Sequence, residues 1–288
     1  MPHLSLTNDL QARPPFSATR LFLSCVLLIA CSACQQSPSE TSDSTTSSVE
    51  EPVVSDPQAN GTLETEPEME DTVNDESTEG KVLRHAVFFS FKEESSEEDV
   101  AGVVEAFREL PSKIPEIIDF EWGTNNSPED LNDGFTHCFL LTFADGPGRA
   151  AYLPHAAHKA FGDVLRPHMD KVFVVDYWGT ATETAIETPL RHAVFFRFKK
   201  DAAAEDIEAV EEAFAALPEK IDTIKAFEWG RNNSPEKHDA GFTHCFMVTF
   251  DSEDGRAAYL PHAEHLAFVE VLKPVLDAPR VLDFSAQK

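Results

Sequence analysis

The chain has 288 residues, of which 51 are Asp or Glu and 23 are Lys or Arg, for a formal net charge of −28. A nucleic-acid backbone needs a basic surface to bind, so this balance excludes a nucleic-acid-binding protein. The length fits about two domains, and the five cysteines, three of them near the N-terminus, give no disulfide framework.

Arg13 and Arg20 precede a short apolar run, LFLSCVLLIA at residues 21–30. Crossing a bilayer takes roughly 20 apolar residues, so a basic flank before this shorter run reads as a secretory signal. The run ends Leu28-Ile29-Ala30-Cys31, which resembles a bacterial lipobox. That resemblance implies a signal peptide over residues 1–31 and lipidation at Cys31, with Cys34 as the alternative. It also implies a lipid-anchored protein of the cell envelope, at the outer membrane or periplasmic face. Residues 32–80 are rich in Ser, Thr, Glu, Asp and Pro, with no aromatic residue. Such a segment buries too little apolar surface to offset ordering entropy, so it is expected to be a disordered acidic tether.

The rest of the chain is written twice. LRHAVFF begins at Leu83 and again at Leu190, GFTHCF at Gly134 and Gly241, and GRAAYLPHA at Gly148 and Gly255. The constant offset defines two copies of one small domain, residues 81–178 and 188–288, and any site should occur in both.

Copy one opens with HAVFFSFK, a nearly continuous apolar run expected to be a strand covered on both faces. Ser95-Ser96-Glu97-Glu98 starts a helix, with Val100, Val103, Val104, Phe107 and Leu110 at helical spacing and Pro111 at its end. IIDFEWG is a second strand, Asn125-Asn126-Ser127-Pro128 a turn, and FTHCFLLTF a third strand. Two short helices separated by Pro154 precede a last strand at residues 172–177. The order β-α-β-β-α-β gives an α+β, ferredoxin-like fold. In it, strands one and three are expected side by side in the sheet centre and parallel. One sheet face packs the helices, and alternation puts Phe88 and Cys138 on the other. Two such faces packed together close a barrel, so a monomer with an internal pseudo-dimer is expected.

His85, His137, Tyr152 and His158 recur as His192, His244, Tyr259 and His265. Alternation places His85 with Val87 and Phe89, and His137 with Phe139 and Leu141, on the helix-facing side. Parallel strands would bring both imidazoles to one end of the sheet, under the segment carrying Tyr152 and His158. An apolar pocket with a few convergent polar groups is the usual form of a small-ligand site. His155 and His158 are a possible metal pair with His137, but zinc sites usually need more ligands, so no metal is expected.

RHAVFFSF, EWGTNNSPE, GFTHCFLLTF, YLPHAAHKAF and VVDYW together resemble the stress-responsive dimeric A/B barrel family from one end of each copy to the other. The family is usually homodimeric, and here one chain would hold both halves. A polyketide-cyclase member uses the tyrosine and last histidine of its Y-x5-H motif. The resemblance therefore implies Tyr152, His158, Tyr259 and His265 as catalytic candidates, with no cofactor. It implies His85, His137, His192, His244, Phe161 and Phe268 as ligand contacts. Copy one has Phe161-Gly162 where copy two has Phe268-Val269, and a valine would narrow the second pocket. Three functions stay open: binding a small apolar or aromatic molecule, a cyclase or lyase reaction using the Tyr/His pair, and a structural or stress-response role without ligand.

Overall fold

The structure is a computed structural model that describes residues 78–180 and 186–288. The lipidation expected at Cys31 and most of the tether lie outside these residues. Among the described residues no helix is long and apolar enough to cross a membrane.

Copy one runs β1 (Lys81–Phe91), α1 (Glu97–Arg108), α2 (Leu110–Lys113), β2 (Ile117–Thr124), β3 (His137–Phe143), α3 (Gly146–Tyr152), α4 (Ala156–Leu165) and β4 (Met169–Thr180). Copy two repeats this as β5 (Leu190–Phe198), α5 (Ala204–Ala215), a short 3-10 turn (Leu217–Glu219), β6 (Ala226–Arg231), β7 (His244–Phe250), α6 (Glu253–Tyr259), α7 (Ala263–Leu272) and β8 (Leu276–Ser285). Ser96 starts α1 through a capping box with Asp99, which satisfies end N–H groups that the helix itself cannot pair. Val103, Val104 and Phe107 of α1 are buried against the sheet.

Each copy is a four-stranded sheet, ordered β2-β3-β1-β4 and β6-β7-β5-β8. Strands one and three are neighbours, but they are antiparallel, which corrects the expectation of parallel strands. The physical reason is connectivity. The α1 crossover returns the chain so that β2 runs with β1, and the β2–β3 connection then reverses it. His85 therefore sits opposite Leu141, and His137 sits opposite Phe89 at the other end of the strand pair.

The face away from the helices is buried between the two sheets. Phe88, Phe135 and Phe173 of copy one and Phe195, Phe242 and Phe284 of copy two share one core there, with the free thiols Cys138 and Cys245. Burying a phenylalanine contributes roughly 2 kcal/mol. Six give about 12 kcal/mol as an upper estimate, comparable with a whole domain's stability of about 5–15 kcal/mol. A lone copy would expose that surface, so the two copies form one cooperative barrel.

Two glycines close it. A Cβ on Gly123 would lie 2.8 Å from the Ser285 carbonyl, and one on Gly230 would lie 2.9 Å from Tyr177 Cβ. Beside Gly123, Trp122 exchanges backbone hydrogen bonds of 3.0 and 2.9 Å with Gln287. Reciprocal ion pairs cross the same seam: Arg84 Nε lies 2.9 Å from Glu228, and Arg191 is bidentate on Glu121 at 2.8 Å.

Candidate functional site

On the helix-facing side of β1, His85, Val87 and Phe89 lie under α3 and α4 and line one cleft with them. Tyr152 is the last residue of α3, and the chain then turns through Leu153 and Pro154. His155 caps α4, its Nδ1 accepting from Ala157 N at 3.1 Å. This turn brings Tyr152 and His158 ring to ring at 4.3 Å. His158 Nδ1–H donates to the Leu153 carbonyl at 3.0 Å. A carbonyl only accepts, so the proton sits on Nδ1 and Nε2 keeps its lone pair. Burial lowers the His158 pKa, so the ring is a neutral base at pH 7. Burial, with the nearby Glu236 and Asp176 charges, pushes the Tyr152 phenol well above its ordinary value and keeps it a hydrogen-bond donor.

His85 lies edge-on to Tyr152 at 5.5 Å. Its Nδ1 is 2.6 Å from Asp176 Oδ1, and Arg149 donates to Asp176 Oδ2 at 2.8 Å. Burial opposes charge on His85, but the Asp176 carboxylate outweighs it and raises the imidazole's pKa. Burial likewise opposes the charge on Asp176, and His85 and Arg149 together hold its pKa below the usual carboxylate value.

The other copy completes the site. Arg149 also donates to Asn233 Oδ1 at 2.7 Å, and Asp176 N donates to Asn232 Oδ1 at 3.1 Å. Glu236 Oε2 comes within 3.8 Å of His85 Nε2. Copy two mirrors this: Asp283 receives His192 and Arg256, Arg256 donates to Asn126 Oδ1 at 2.9 Å, and Glu129 faces His192 at 3.9 Å. The Asn-Asn-Ser-Pro-Glu loop is a turn, with Ser127 N donating to Asn125 Oδ1 at 3.3 Å, and it is also the wall that each copy lends the other.

In copy one these groups border a cleft of about 630 Å³. Val87, Phe89, Phe107 and Phe161 supply its apolar wall, and His85, Tyr152, His158, Glu236 and His238 line it together with Lys159, Asp163 and Arg166. His137 is not among its lining residues. It lies at the far end of β3 against Phe91 at 4.9 Å, and His244 binds Glu211 Oε1 at 2.8 Å beside Phe198. His192, Tyr259, His265 and Phe268 keep the copy-one arrangement, with Tyr259 and His265 4.3 Å apart and Phe268 buried beside them. Asp176, Arg149, Asn233 and Glu236 escaped the sequence reading. The signal for them was their verbatim recurrence as Asp283, Arg256, Asn126 and Glu129, with Asp176 and Asp283 each standing as the one acid in an apolar run, VFVVDYW and VLDF.

Among the described residues one trio, Glu129, His192 and Asp283, brings possible metal-ligand atoms within 4.8 Å of one another. Arg256 already holds the second Asp283 oxygen at 2.8 Å, so a cation there would face a guanidinium, and the residues do not fit a metal well.

The stress responsive A/B barrel domain pattern matches residues 83–179 and 190–286. A stress-response A/B barrel domain-containing protein of Arabidopsis thaliana is 34% identical over 96 residues, 33% of this chain and 88% of that protein. Olivetolic acid cyclase of Cannabis sativa is 30% identical over 95 residues, 33% of this chain and 94% of the enzyme. Each relative thus corresponds to one copy. At the level of fold alone, the crystal structure of a Fusobacterium nucleatum protein has a TM-score of 0.52 at 10% identity, covering 73% of this chain and 94% of its own. The matched pattern, the doubled sheet and the relatives agree, and the chain belongs to the stress-responsive A/B barrel domain family, with two copies of the domain in one polypeptide.

Proposed function

We propose that this is an envelope-anchored lipoprotein whose barrel binds a small apolar or aromatic molecule between sheet and helices. The observation that carries the binding reading is the cleft of copy one, about 630 Å³ and walled by phenylalanine and valine, with Tyr152, His158, His85 and Glu236 converging on it. Ligand sites are typically concave, mostly apolar and equipped with a few placed polar groups. Tyr152 would donate to a ligand carbonyl and His158 Nε2 would accept from a ligand hydroxyl. The anchor rests on the Leu28-Ile29-Ala30-Cys31 motif. Cys31→Ala is expected to release the protein from the detergent phase, and a variant that still partitions with membranes would move lipidation to Cys34.

A second reading is favoured by one specific observation. Tyr152 and His158 touch ring to ring, with a neutral histidine base beside a phenol donor. That pair is what a cofactor-free, aldol-type ring closure needs: a base near its operating pH to take a proton, and a donor for the developing oxyanion. A single comparison separates the readings. Tyr152→Phe and His158→Ala should weaken binding by about 0.5–1.5 kcal/mol per lost hydrogen bond if the cleft only binds. Turnover of a linear polyketide that both changes abolish would establish the cyclase. Unchanged binding in both variants would remove these residues from the site.

A further inference from the structure

We infer that the two copies have divided the work: the cleft of copy one is the barrel's ligand site, and its counterpart in copy two is filled from within while the copy-two loop completes the first site. The inference deepens the binding reading above and rests on it.

Equivalent positions of the two copies differ around the cleft. His238 and Gly162 line the copy-one cleft. Their counterparts are Leu131 and Val269, and both pack against the helix-side core of copy two. In copy one His238 is exposed and Gly162 only half-buried. Met169 is half-buried on the cleft, whereas its counterpart Leu276 is buried in the copy-two core. Three changes therefore run in one direction, each replacing a polar, small or flexible group with a branched apolar one at the same spot. Packed interiors tolerate few voids, so such groups occupy the space that stays open in copy one.

The buried polar groups agree with this. Tyr259 Oη is shut off from solvent with no protein partner among the described residues, whereas Tyr152 borders the cleft. Burial lowers the His265 pKa to about 4. Hydrogen-bonding need does not separate the copies, because Glu129 and Glu236 each keep a buried oxygen without a protein donor. In copy one Glu236 lines the cleft beside its aromatic wall. The chemistry that fits is an apolar molecule carrying a hydroxyl that donates to Glu236, such as an alkylated phenol.

The test is calorimetric titration of the full chain with 4-hexylresorcinol. The expected result is one equivalent per chain. Gly162→Val with His238→Leu, which gives copy one the residues of copy two, should remove the heat of binding with the melting temperature unchanged. A Cβ at Gly162 meets only Arg166 Nη1 at 3.6 Å, an ordinary contact, so the fold accommodates a side chain there. Leu131→His with Val269→Gly should add a second equivalent. Two equal sites in the unaltered chain would overturn the division of work while leaving the binding reading intact. A single site that survives Gly162→Val with His238→Leu would overturn it too, by placing the ligand elsewhere. No binding by the unaltered chain would overturn both readings.

Discussion

Replacing Arg149 with methionine removes a charge while keeping most of the side chain's volume. Arg149 binds Asp176 Oδ2 of its own copy at 2.8 Å and reaches across the copy boundary to Asn233 Oδ1 at 2.7 Å. Asp176 is fully buried, so the substitution leaves a carboxylate in the interior with His85 as its remaining charged partner. Removing one partner of a buried pair costs about 3–5 kcal/mol. Arg149 retains some exposure and His85 remains, so about 3 kcal/mol is expected at pH 7. The pH dependence fixes the mechanism. The folded-state pKa of Asp176 is depressed, so its stabilisation is present above its unfolded value of about 3.9 and is lost as pH falls through the folded value. The difference between Arg149→Met and the unaltered protein should therefore shrink as the solution is acidified through the carboxylate range. Urea denaturation followed by tryptophan fluorescence reads both quantities. Because the sheets share one core, the variant should unfold in a single transition at lower urea. A cost below about 1 kcal/mol would refute the account of the buried network. Separation into two transitions would refute the shared barrel.

The remaining expectations concern pH and barrel closure. His265 has a folded pKa of about 4 against an unfolded value near 6.5, so the unfolded chain takes up its proton first and stability falls as pH drops from about 6.5 toward 4. The full shift corresponds to about 3 kcal/mol, and partial exposure reduces this to about 1–2 kcal/mol. His265→Asn, which keeps a donor for the Leu260 carbonyl, should flatten that part of the stability–pH curve, and an unchanged slope would assign it to other histidines. Gly123→Ala and Gly230→Ala should each cost about 1–3 kcal/mol, because a new Cβ would press on the facing strand of the other copy. Thermal melts of the two variants that match the unaltered protein would show that the seam can relax.

Periodicity and repetition revealed most of the architecture. Alternation in HAVFFSF and FTHCFLLTF placed His85, Val87 and Phe89 on one face and Phe88 and Cys138 on the other, as found. Strand direction was not legible in that way, because alternation along a strand says nothing about which way its neighbour runs. Parallel strands would have put His137 beside His85; the antiparallel register puts it at the opposite end. The Tyr152–His158 pair was legible through the Y-x5-H motif of the family the chain resembles, and the turn at Leu153 and Pro154 is what brings the rings together. The Asp176–Arg149–Asn233 network was not, because its members lie far apart in the chain and two of them only meet across copies. The Asn-Asn-Ser-Pro-Glu loop has the composition of a turn, and its second role exists only once the barrel closes.

The claim at the centre of this account is that the copy-one cleft holds a small molecule. Native mass spectrometry of the full chain, purified gently from its own cells beside the Gly162→Val, His238→Leu variant, tests it most directly. The account expects an adduct of one small apolar molecule on the unaltered chain and none on the variant. The bare protein mass for both, or the same adduct on both, would contradict it.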